Sequence, residues 1–297
     1  MFKILKNRNF ILPLAFFMGL VFPNLAQYSK PFTISALALV MAISLIDIST
    51  NSMLEWKEST RPIMIGIILN YVILGAVIVL FTYLLIPERS LQMGMILVAA
   101  SPPGVAIMPF SAILSGNMIF SLFATFGAYL AAIIITPLIT ILFTGAREFP
   151  FSSLALNLFY LIILPIIFSR FMRTKKIFSF LKSWRGTIVN WGLFVVIFTV
   201  IGINQVSFFT DLDNLLRIAF IALLTTFPLF YLLKVIFRGL AIKKSDAITM
   251  MLLGTIKNAG FASALAMSLF SDSSSSIPGA IISAVYALYM IWLGTNE

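Results

Sequence analysis

The sequence predicts an all-α polytopic membrane protein with ten transmembrane helices, arranged as two inverted five-helix repeats of residues 1–145 and 146–297. Three observations carry this prediction. The chain of 297 residues is 61% hydrophobic and only 10% charged, whereas a soluble protein has about 25% charged residues. Its apolar segments are long enough to cross a bilayer, which takes about 20 residues each. Two of these segments are interrupted at matching places in the two halves of the chain.

Apolar segments separated by short polar or basic stretches give the ten predicted helices. The first follows a basic start that resembles a signal peptide. No cleavage site of small residues follows it, so we interpret it as an uncleaved helix. The predicted helices span residues 10–25, 31–52, 62–86, 89–115, 117–143, 152–173, 184–204, 213–237, 245–271 and 275–294.

The Lys and Arg residues fix the predicted orientation. If the N-terminus is cytoplasmic, fifteen of the 20 fall in cytoplasmic segments, four fall outside, and Lys257 alone falls within a helix. Because cytoplasmic loops carry an excess of Lys and Arg, we expect a bacterial inner-membrane protein with both termini in the cytoplasm. The basic run 170–185 fits a contact with membrane lipids. The net charge of +10 therefore reflects topology and does not predict a nucleic-acid partner.

Cys and His are absent from the chain. Their absence excludes disulfides, thiolate chemistry and the usual zinc and haem sites, so no metal centre or cofactor is predicted. The sequence also offers no paired acids at catalytic spacing, which argues against an intramembrane enzyme.

The fourth and ninth predicted helices each contain a break. The fourth carries Pro102, Pro103 and Gly104 near its middle, and the ninth carries Asn258 and Gly260. Proline lacks an N–H donor and clashes with the preceding turn, so the half-helices beside a break expose backbone N–H or C=O groups. A simple proline kink explains either break alone. Two breaks in corresponding positions are typical of transporters built from inverted repeats.

Lys257 lies next to the second break, near the middle of its helix. A charge at the bilayer centre costs about 2.5–3.5 kcal/mol on insertion scales, which favours a functional role. Three interpretations stay open: a fixed charge that attracts an anionic substrate, a group that releases a proton during the cycle, or a purely structural tie to backbone carbonyls. Asp47, late in the second helix, is either an interfacial acid or a proton acceptor and partner for Lys257.

The motifs at the two breaks resemble those of the bile acid:sodium symporter family. SPPGVAIMPFSAILSGN at 101–117 is similar to that family's fourth-helix motif, and GTIKNAGFASALA at 254–266 is similar to its ninth-helix motif. RPIMIG at 61–66 and IIITPLITILFTG at 133–145 also fit. The resemblance implies a panel of helices 1, 2, 6 and 7 beside a core of helices 3, 4, 5, 8, 9 and 10, in which the broken helices cross. It also implies a small organic anion as substrate and two co-transported sodium ions.

Candidate site residues follow from the breaks and from the resemblance. The substrate carboxylate would be held near the crossing by Val105, Ala106, Lys257, Asn258 and Ala259. The family's cation-binding positions fall on seven residues of this chain: Asn70, Ile107, Met108, Ser121, Thr125, Leu253 and Lys257.

Three of those seven positions carry apolar side chains, and such side chains cannot bind a hard cation. We therefore expect a transporter of a small organic anion that is not coupled to sodium in the family's usual way. Lys257 would replace a bound cation or titrate, with protons as the coupled ion in the second case. The alternatives are a sodium-independent uniporter or exchanger of an amphipathic solute, and a transporter-like sensor without flux.

Overall fold

A computed structural model describes residues 8–46, 56–145, 151–173 and 175–296, and these residues form helices and no β-strand. Two stretches are π-helical, Ile68–Leu74 and Phe159–Ile163, and two are short 3₁₀ turns, Lys30–Phe32 and Ser273–Ser276. The α-helices are α1 (Arg8–Val21), α2 (Pro23–Ser29), α3 (Thr33–Leu45), α4 (Trp56–Ile67), α5 (Gly75–Leu85), α6 (Arg89–Ala100), α7 (Ile107–Ile113), α8 (Met118–Thr144), α9 (Phe151–Leu158), α10 (Leu164–Phe171), α11 (Lys175–Ile203), α12 (Gln205–Thr210), α13 (Leu212–Gly239), α14 (Lys244–Leu253), α15 (Ala259–Leu269) and α16 (Ile277–Asn296).

Seven helical stretches in the described ranges are long and apolar enough to cross a membrane. They coincide with the second, third, fifth, sixth, seventh, eighth and tenth predicted helices, although the second begins earlier than predicted, at Pro23. A proline at the start of a helix needs no N–H donor, which explains why a new helix begins there. The seven stretches are Pro23–Leu45, Ser59–Leu85, Met118–Thr144, Ser152–Phe171, Trp184–Ile203, Leu212–Gly239 and Ser273–Gly294.

The other three predicted helices contain shorter apolar helices, Phe10–Val21, Arg89–Ala100 and Ala259–Leu269. The fourth predicted helix is divided into α6 and α7, and the ninth into α14 and α15, because the chain leaves the helical conformation at both breaks. Neither half is long enough to cross a bilayer alone.

The helices pack into two groups, which we call the first and second helix groups. In the first group, α1, α2 and α3 pack against α11, α10 packs against α3, and α9 is joined to α10 by the π-helical stretch Phe159–Ile163. In the second group, α4 and α6 pack against α8, α6 also packs against α5 and α15, and α13 packs against α14 and α16. The groups meet where α15 and α16 lie against α11, which brings the second break to the boundary between them.

Hydrogen bonds join the two groups at one end of α11. Asn204, which follows α11, donates to Ser276 Oγ at 3.1 Å, and Asn157 of α9 donates to Ser268 Oγ at 2.8 Å. Arg185 lies towards the other end of α11, about 28 Å away along the helix at 1.5 Å per residue. The two groups are therefore tied together at one end of their boundary.

Candidate functional site

The two helix breaks lie against each other as short antiparallel segments. Pro103 and Lys257 form an isolated backbone bridge, and the N–H of Gly104 donates to Ile256 O at 3.2 Å. These contacts give partners to backbone groups that have none within a broken helix. The close approach requires glycine at position 104, since a Cβ there would lie 2.7 Å from Ile256 Cγ2 and 3.1 Å from Lys257 O.

Asn258 completes the crossing and starts the second half-helix. Its backbone N–H donates to Pro102 O at 2.8 Å. Its side-chain oxygen accepts the N–H of Phe261 at 3.1 Å, which caps the N-terminus of α15 in the way typical of asparagine. Its amide nitrogen faces Met41 Sδ of α3 at 3.4 Å, so Asn258 also lies at the boundary with the first helix group.

The side chain of Lys257 is buried, with 1% of its surface exposed, and its ammonium has an acceptor for each of three hydrogens. Nζ donates to Asn70 Oδ1 at 2.9 Å, to Ala99 O at 2.6 Å and to Ser101 O at 2.9 Å. The ring of Tyr71 lies 4.4 Å from Nζ, within range of a cation–π contact. The two carbonyls lie at the C-terminal end of α6, where the helix dipole favours a cation.

The contacts of Lys257 are all with neutral groups. Three acceptors match the three donors of an ammonium, whereas a neutral amine has only two donors. No carboxylate contacts Lys257 in the part of the chain that the structure describes. Burying a charge is costly unless it is hydrogen-bonded, and here backbone carbonyls and one amide oxygen provide those bonds. The geometry therefore matches a charged lysine whose three donors are all paired with neutral acceptors.

Asn70 connects Lys257 to the second break. Its side-chain oxygen accepts from Lys257, and its nitrogen donates to Leu253 O at 3.0 Å and to Ile256 O at 3.3 Å. Asn70 lies in the π-helical stretch Ile68–Leu74 and is fully buried. Local π-helical turns inside α-helices are frequent at functional sites, and this one brings an amide to carbonyl groups of the broken helix.

The five residues predicted to bind substrate line one cavity at the crossing: Val105, Ala106, Lys257, Asn258 and Ala259. The cavity has a volume of about 40 Å³, which is room for a few water molecules and not for an organic anion. The residues that contact the Lys257 ammonium are not among those that line this cavity. The groups that bind the ammonium therefore do not form the wall of the predicted substrate position.

A larger cavity of about 350 Å³ lies next to the small one, between the two helix groups. The two cavities share Val105, Ala106 and Leu193 as walls. The larger cavity is also lined by Ser44, Pro109, Phe110, Arg185, Gly186, Val189 and Asn190.

Comparison with known proteins identifies the family. A family model of SBF-like CPA transporters matches residues 9–291, nearly the whole chain. The chain belongs to the SBF-like CPA transporter family. The predicted resemblance to the bile acid:sodium symporters is thereby confirmed. No curated protein matches the chain. Membership in the SBF-like family, together with the seven long apolar helices among the described residues, indicates an integral membrane transporter and agrees with the prediction that the chain is not an enzyme.

The resemblance to the symporters places a first cation position at residues 107 and 108 of this SBF-like chain. Ile107 and Met108 are buried and present apolar side chains there. Ser121 and Thr125 lie one turn apart on α8 and are also buried, and their hydroxyl oxygens have no hydrogen-bond partner among the described residues. Buried hydroxyls of this kind commonly bind a water molecule or an ion. A hard cation takes several oxygen ligands, and two hydroxyls beside two apolar side chains provide too few of them.

The resemblance places a second cation position at Leu253 and Lys257. Leu253 is fully buried and offers only its carbonyl oxygen, which accepts from Asn70. The oxygens of Ala99, Ser101 and Asn70 already bind the Lys257 ammonium. To bind these oxygens, a sodium ion would have to displace the ammonium of Lys257, which is covalently attached to the protein.

Two further residues are considered separately. Asp47 lies outside the residues that the structure describes, so its role stays a prediction. Arg185 was missed as a site residue, because it falls at the start of the predicted seventh helix and fitted a basic cytoplasmic linker. The structure begins α11 at Lys175, so Arg185 lies within the helix and lines the larger cavity.

Proposed function

We propose that this SBF-like protein is a secondary transporter of a small organic anion that works by alternating access and does not use sodium as the bile acid symporters do. The observation that carries the proposal is the buried ammonium of Lys257, bound to Asn70 and to the carbonyls of Ala99 and Ser101. A tethered cation at these oxygens supplies the positive charge that a bound sodium ion would otherwise supply. The substrate carboxylate would be balanced by this charge and by the half-helix dipoles at the crossing.

We infer the moving parts from the packing of the helices. The first helix group would be the panel and the second the core, with ten transmembrane helices in two inverted repeats, of which α6 with α7 is the fourth and α14 with α15 is the ninth. Rocking of the core against the panel would expose the crossing to each side in turn. The hydrogen bonds at one end of the boundary and the larger cavity towards the other support a conformation open to one side.

The orientation rests on the distribution of charge. Arg185 and the basic residues before it favour the cytoplasm for the end that carries the larger cavity. The substrate cavity would then be open to the cytoplasm of a bacterial cell, with both termini on the same side.

The geometry favours a permanently charged Lys257 over one that releases a proton in each cycle. Loss of a proton would leave the nitrogen with two donors and three acceptors, so one buried acceptor would lose its partner. Such a loss costs about 1–3 kcal/mol. Proton coupling would need another group to take up the proton during transport.

Uptake into proteoliposomes tests the proposal. A panel of labelled organic acids is offered, and sodium and pH gradients are imposed separately. We expect uptake of at least one acid when choline replaces sodium throughout. A steep dependence on sodium would overturn the proposal.

The same experiment identifies the alternatives. Uptake of a neutral amphipathic solute but of no acid would identify a uniporter or exchanger. A thermal shift with an acid, but no counterflow of that acid, would identify a sensor without flux.

A further inference from the structure

A groove on the second helix group lies apart from the two cavities at the crossing. Gly127 lets α4 pack closely against α8, since a Cβ there would lie 2.5 Å from Ile63 Cγ1. Beyond the π-helical stretch Ile68–Leu74, α5 packs mainly against α6, which also packs against α8. The groove lies between α5 and α8, over α6, and has a volume of about 640 Å³.

Small, buried residues and one aromatic ring form the floor of the groove. Gly75 and Ala99 present little or no side chain, and Tyr71 completes the floor. Tyr71 and Ala99 also contact the ammonium of Lys257, through the ring at 4.4 Å and the carbonyl oxygen at 2.6 Å. A single layer of residues therefore separates the groove from a buried charge.

Apolar side chains spaced by four positions form the two walls, and residues at this spacing share one face of a helix. They are Val72, Ala76 and Leu80 on one side and Ile135, Ile139 and Phe143 on the other. Val72 and Leu80 are each 56% exposed, so they form the rim. Because the chain is an integral membrane protein and lipid tails are as apolar as leucine, this rim faces lipid.

The groove runs from the middle of the membrane span to one end. Ile135 and Phe143 are about 12 Å apart along α8 at 1.5 Å per residue, which is close to the depth of one leaflet in a hydrocarbon core of about 30 Å. Tyr83 Oη donates to Phe143 O at 2.8 Å where the groove ends, and tyrosine is typical of the membrane interface. Arg89 Nη2 donates to Thr144 O at 2.8 Å, which places a guanidinium, a good phosphate ligand, at the same end.

We propose that the groove binds one acyl chain of a membrane phospholipid, which covers Tyr71 and keeps water away from the ammonium of Lys257. The lipid phosphate would lie at the end of the groove, near Arg89. Hydrogen bonds to a buried charge are stronger in surroundings of low polarity, so an apolar occupant strengthens the contacts of Lys257. The inference goes beyond the proposed function, because it requires neither an organic acid nor a transport cycle.

Labelling with a photoreactive phospholipid tests the site. The full-length protein is reconstituted in phosphatidylglycerol vesicles in which some of the lipid carries a diazirine on one acyl chain, and the labelled residues are identified by mass spectrometry. Lipid that only surrounds the protein would favour the most exposed residues, such as Ile134 and Leu138 of α8, which are 72% and 63% exposed.

A bound chain gives the opposite order along the same helix. Ile135 and Ile139 are half-buried but line the groove. We expect them to be labelled at least about threefold more than Ile134 and Leu138, because a chain held in the groove has a higher effective concentration there. Stronger label at Ile134 and Leu138 would overturn the inference.

Ala76→Phe should fill the groove from its rim, since Ala76 is exposed and lines the wall. We expect the label at Ile139 to fall to the level of Leu138, while the label at Leu138 stays unchanged. Ala155→Phe places the same ring at an exposed position on α9 and should be labelled like the wild type. Equal label at Ile139 in these two variants would count against the site.

Thermal melts of delipidated protein in detergent give a second measurement. Added phosphatidylglycerol should raise the melting temperature of the wild type by about 2–4 °C, because a ligand that binds the folded state stabilises it. The rise should be smaller in Ala76→Phe, and the same rise in both proteins would contradict the inference.

The other possible occupant of the groove is a second copy of the chain. The sequence contains no Cys, so Ala76→Cys introduces a single thiol at the rim. A monomer after oxidation in the membrane agrees with a lipid occupant. A disulfide-linked dimer would show that a second copy covers the groove, and the inference would then be wrong.

Discussion

The ammonium of Lys257 lies 2.6 Å from the carbonyl oxygen of Ala99, although 158 positions separate the two residues in the chain. This contact ties the second helix break to the end of the half-helix that precedes the first break. The side chain of Lys257 therefore joins the two halves of the protein. Because it is buried and its partners are neutral, it also places a positive charge at the crossing. We therefore expect substitutions at position 257 to affect both stability and transport, so the two effects have to be measured separately.

Lys257→Met keeps the apolar stem and removes the charge. It leaves three buried acceptors without a donor, at about 1–3 kcal/mol each, but it also removes the desolvation cost of a buried charge, which is several kcal/mol. These effects offset in part, so we expect thermal unfolding to shift by only a few degrees. Uptake should fall by about tenfold or more because the crossing loses its charge.

The control for that variant is Lys244→Met, at an exposed position on α14, which should change neither stability nor uptake. Initial rates of uptake in proteoliposomes and thermal melts in detergent give the two readouts. Normal uptake with an unchanged pH dependence in both Lys257→Met and Lys257→Gln would leave Lys257 with a purely structural role.

Lys257→Gln tests whether the lysine occupies a cation position. The neutral amide removes the competing charge from the oxygens of Ala99, Ser101 and Asn70, so we expect sodium to stabilise the variant and not the wild type. A site filled at ten times its dissociation constant would add about 1.4 kcal/mol to the free energy of unfolding. The measurement is a melt in sodium compared with one in choline at equal ionic strength.

A double variant sharpens the sodium test. Leu253→Glu combined with Lys257→Gln adds a carboxylate at another position that the resemblance assigns to cation binding, and should increase the sodium-dependent shift. A sodium shift of the same size in the wild type and in both variants would show that Lys257 does not exclude a cation.

The hydrogen bond between Asn157 and Ser268 gives a test of alternating access. The chain has no native Cys, so the pair Asn157→Cys with Ser268→Cys can be bridged by Hg²⁺ without side reactions. Because this contact joins the two helix groups, we expect the bridge to stop uptake and a reducing thiol to restore it. Asn157→Cys alone, treated with the same Hg²⁺, serves as the control. Uptake at the normal rate through a bridged protein would exclude movement of the groups at this end.

Gly104→Ala tests the close contact of the two breaks. The added Cβ would meet Ile256 Cγ2 at 2.7 Å, so the backbone bridge must shift, at a cost of about 1–3 kcal/mol. We expect a lower melting temperature and reduced uptake. Gly239→Ala, where a Cβ would meet nothing within 4 Å, is the matched control. Equal melts for the two variants would mean that the crossing tolerates a wider separation.

Much of the fold could be predicted because the bilayer restricts the choice of structure. Long uncharged apolar stretches predict helices, and Pro102 and Pro103 predict a break when they are paired with Asn258 and Gly260, so composition and a few residues were sufficient. Asn258 could be recognised at a break, although its capping of Phe261 is seen only in the structure. The boundaries were less secure, since nothing in the sequence before Pro23 required a new helix to begin there.

The contacts of the candidate site could not be predicted in the same way. No sequence pattern predicts the π-helical turn that contains Asn70. Its backbone hydrogen bonds join residues five positions apart instead of four, and its composition is that of an ordinary α-helix. The direction of the Lys257 side chain depends on which carbonyls the fold brings near, and those of Ala99 and Ser101 are distant in sequence. Arg185 was missed because a basic residue at the start of a helix normally indicates topology.

A charge that is covalently part of the protein has an electrical consequence. A sodium ion binds on one side and leaves on the other, whereas the ammonium of Lys257 has to travel with its helices in both directions. If the moving part crosses the membrane field with a monovalent anion, the two charges cancel, and the loaded step is insensitive to voltage. The empty return step then carries one positive charge, on which a membrane potential acts with about 2.3 kcal/mol per 100 mV. The membrane potential and the concentration gradient of the anion, and not a sodium gradient, would then set the direction of net transport.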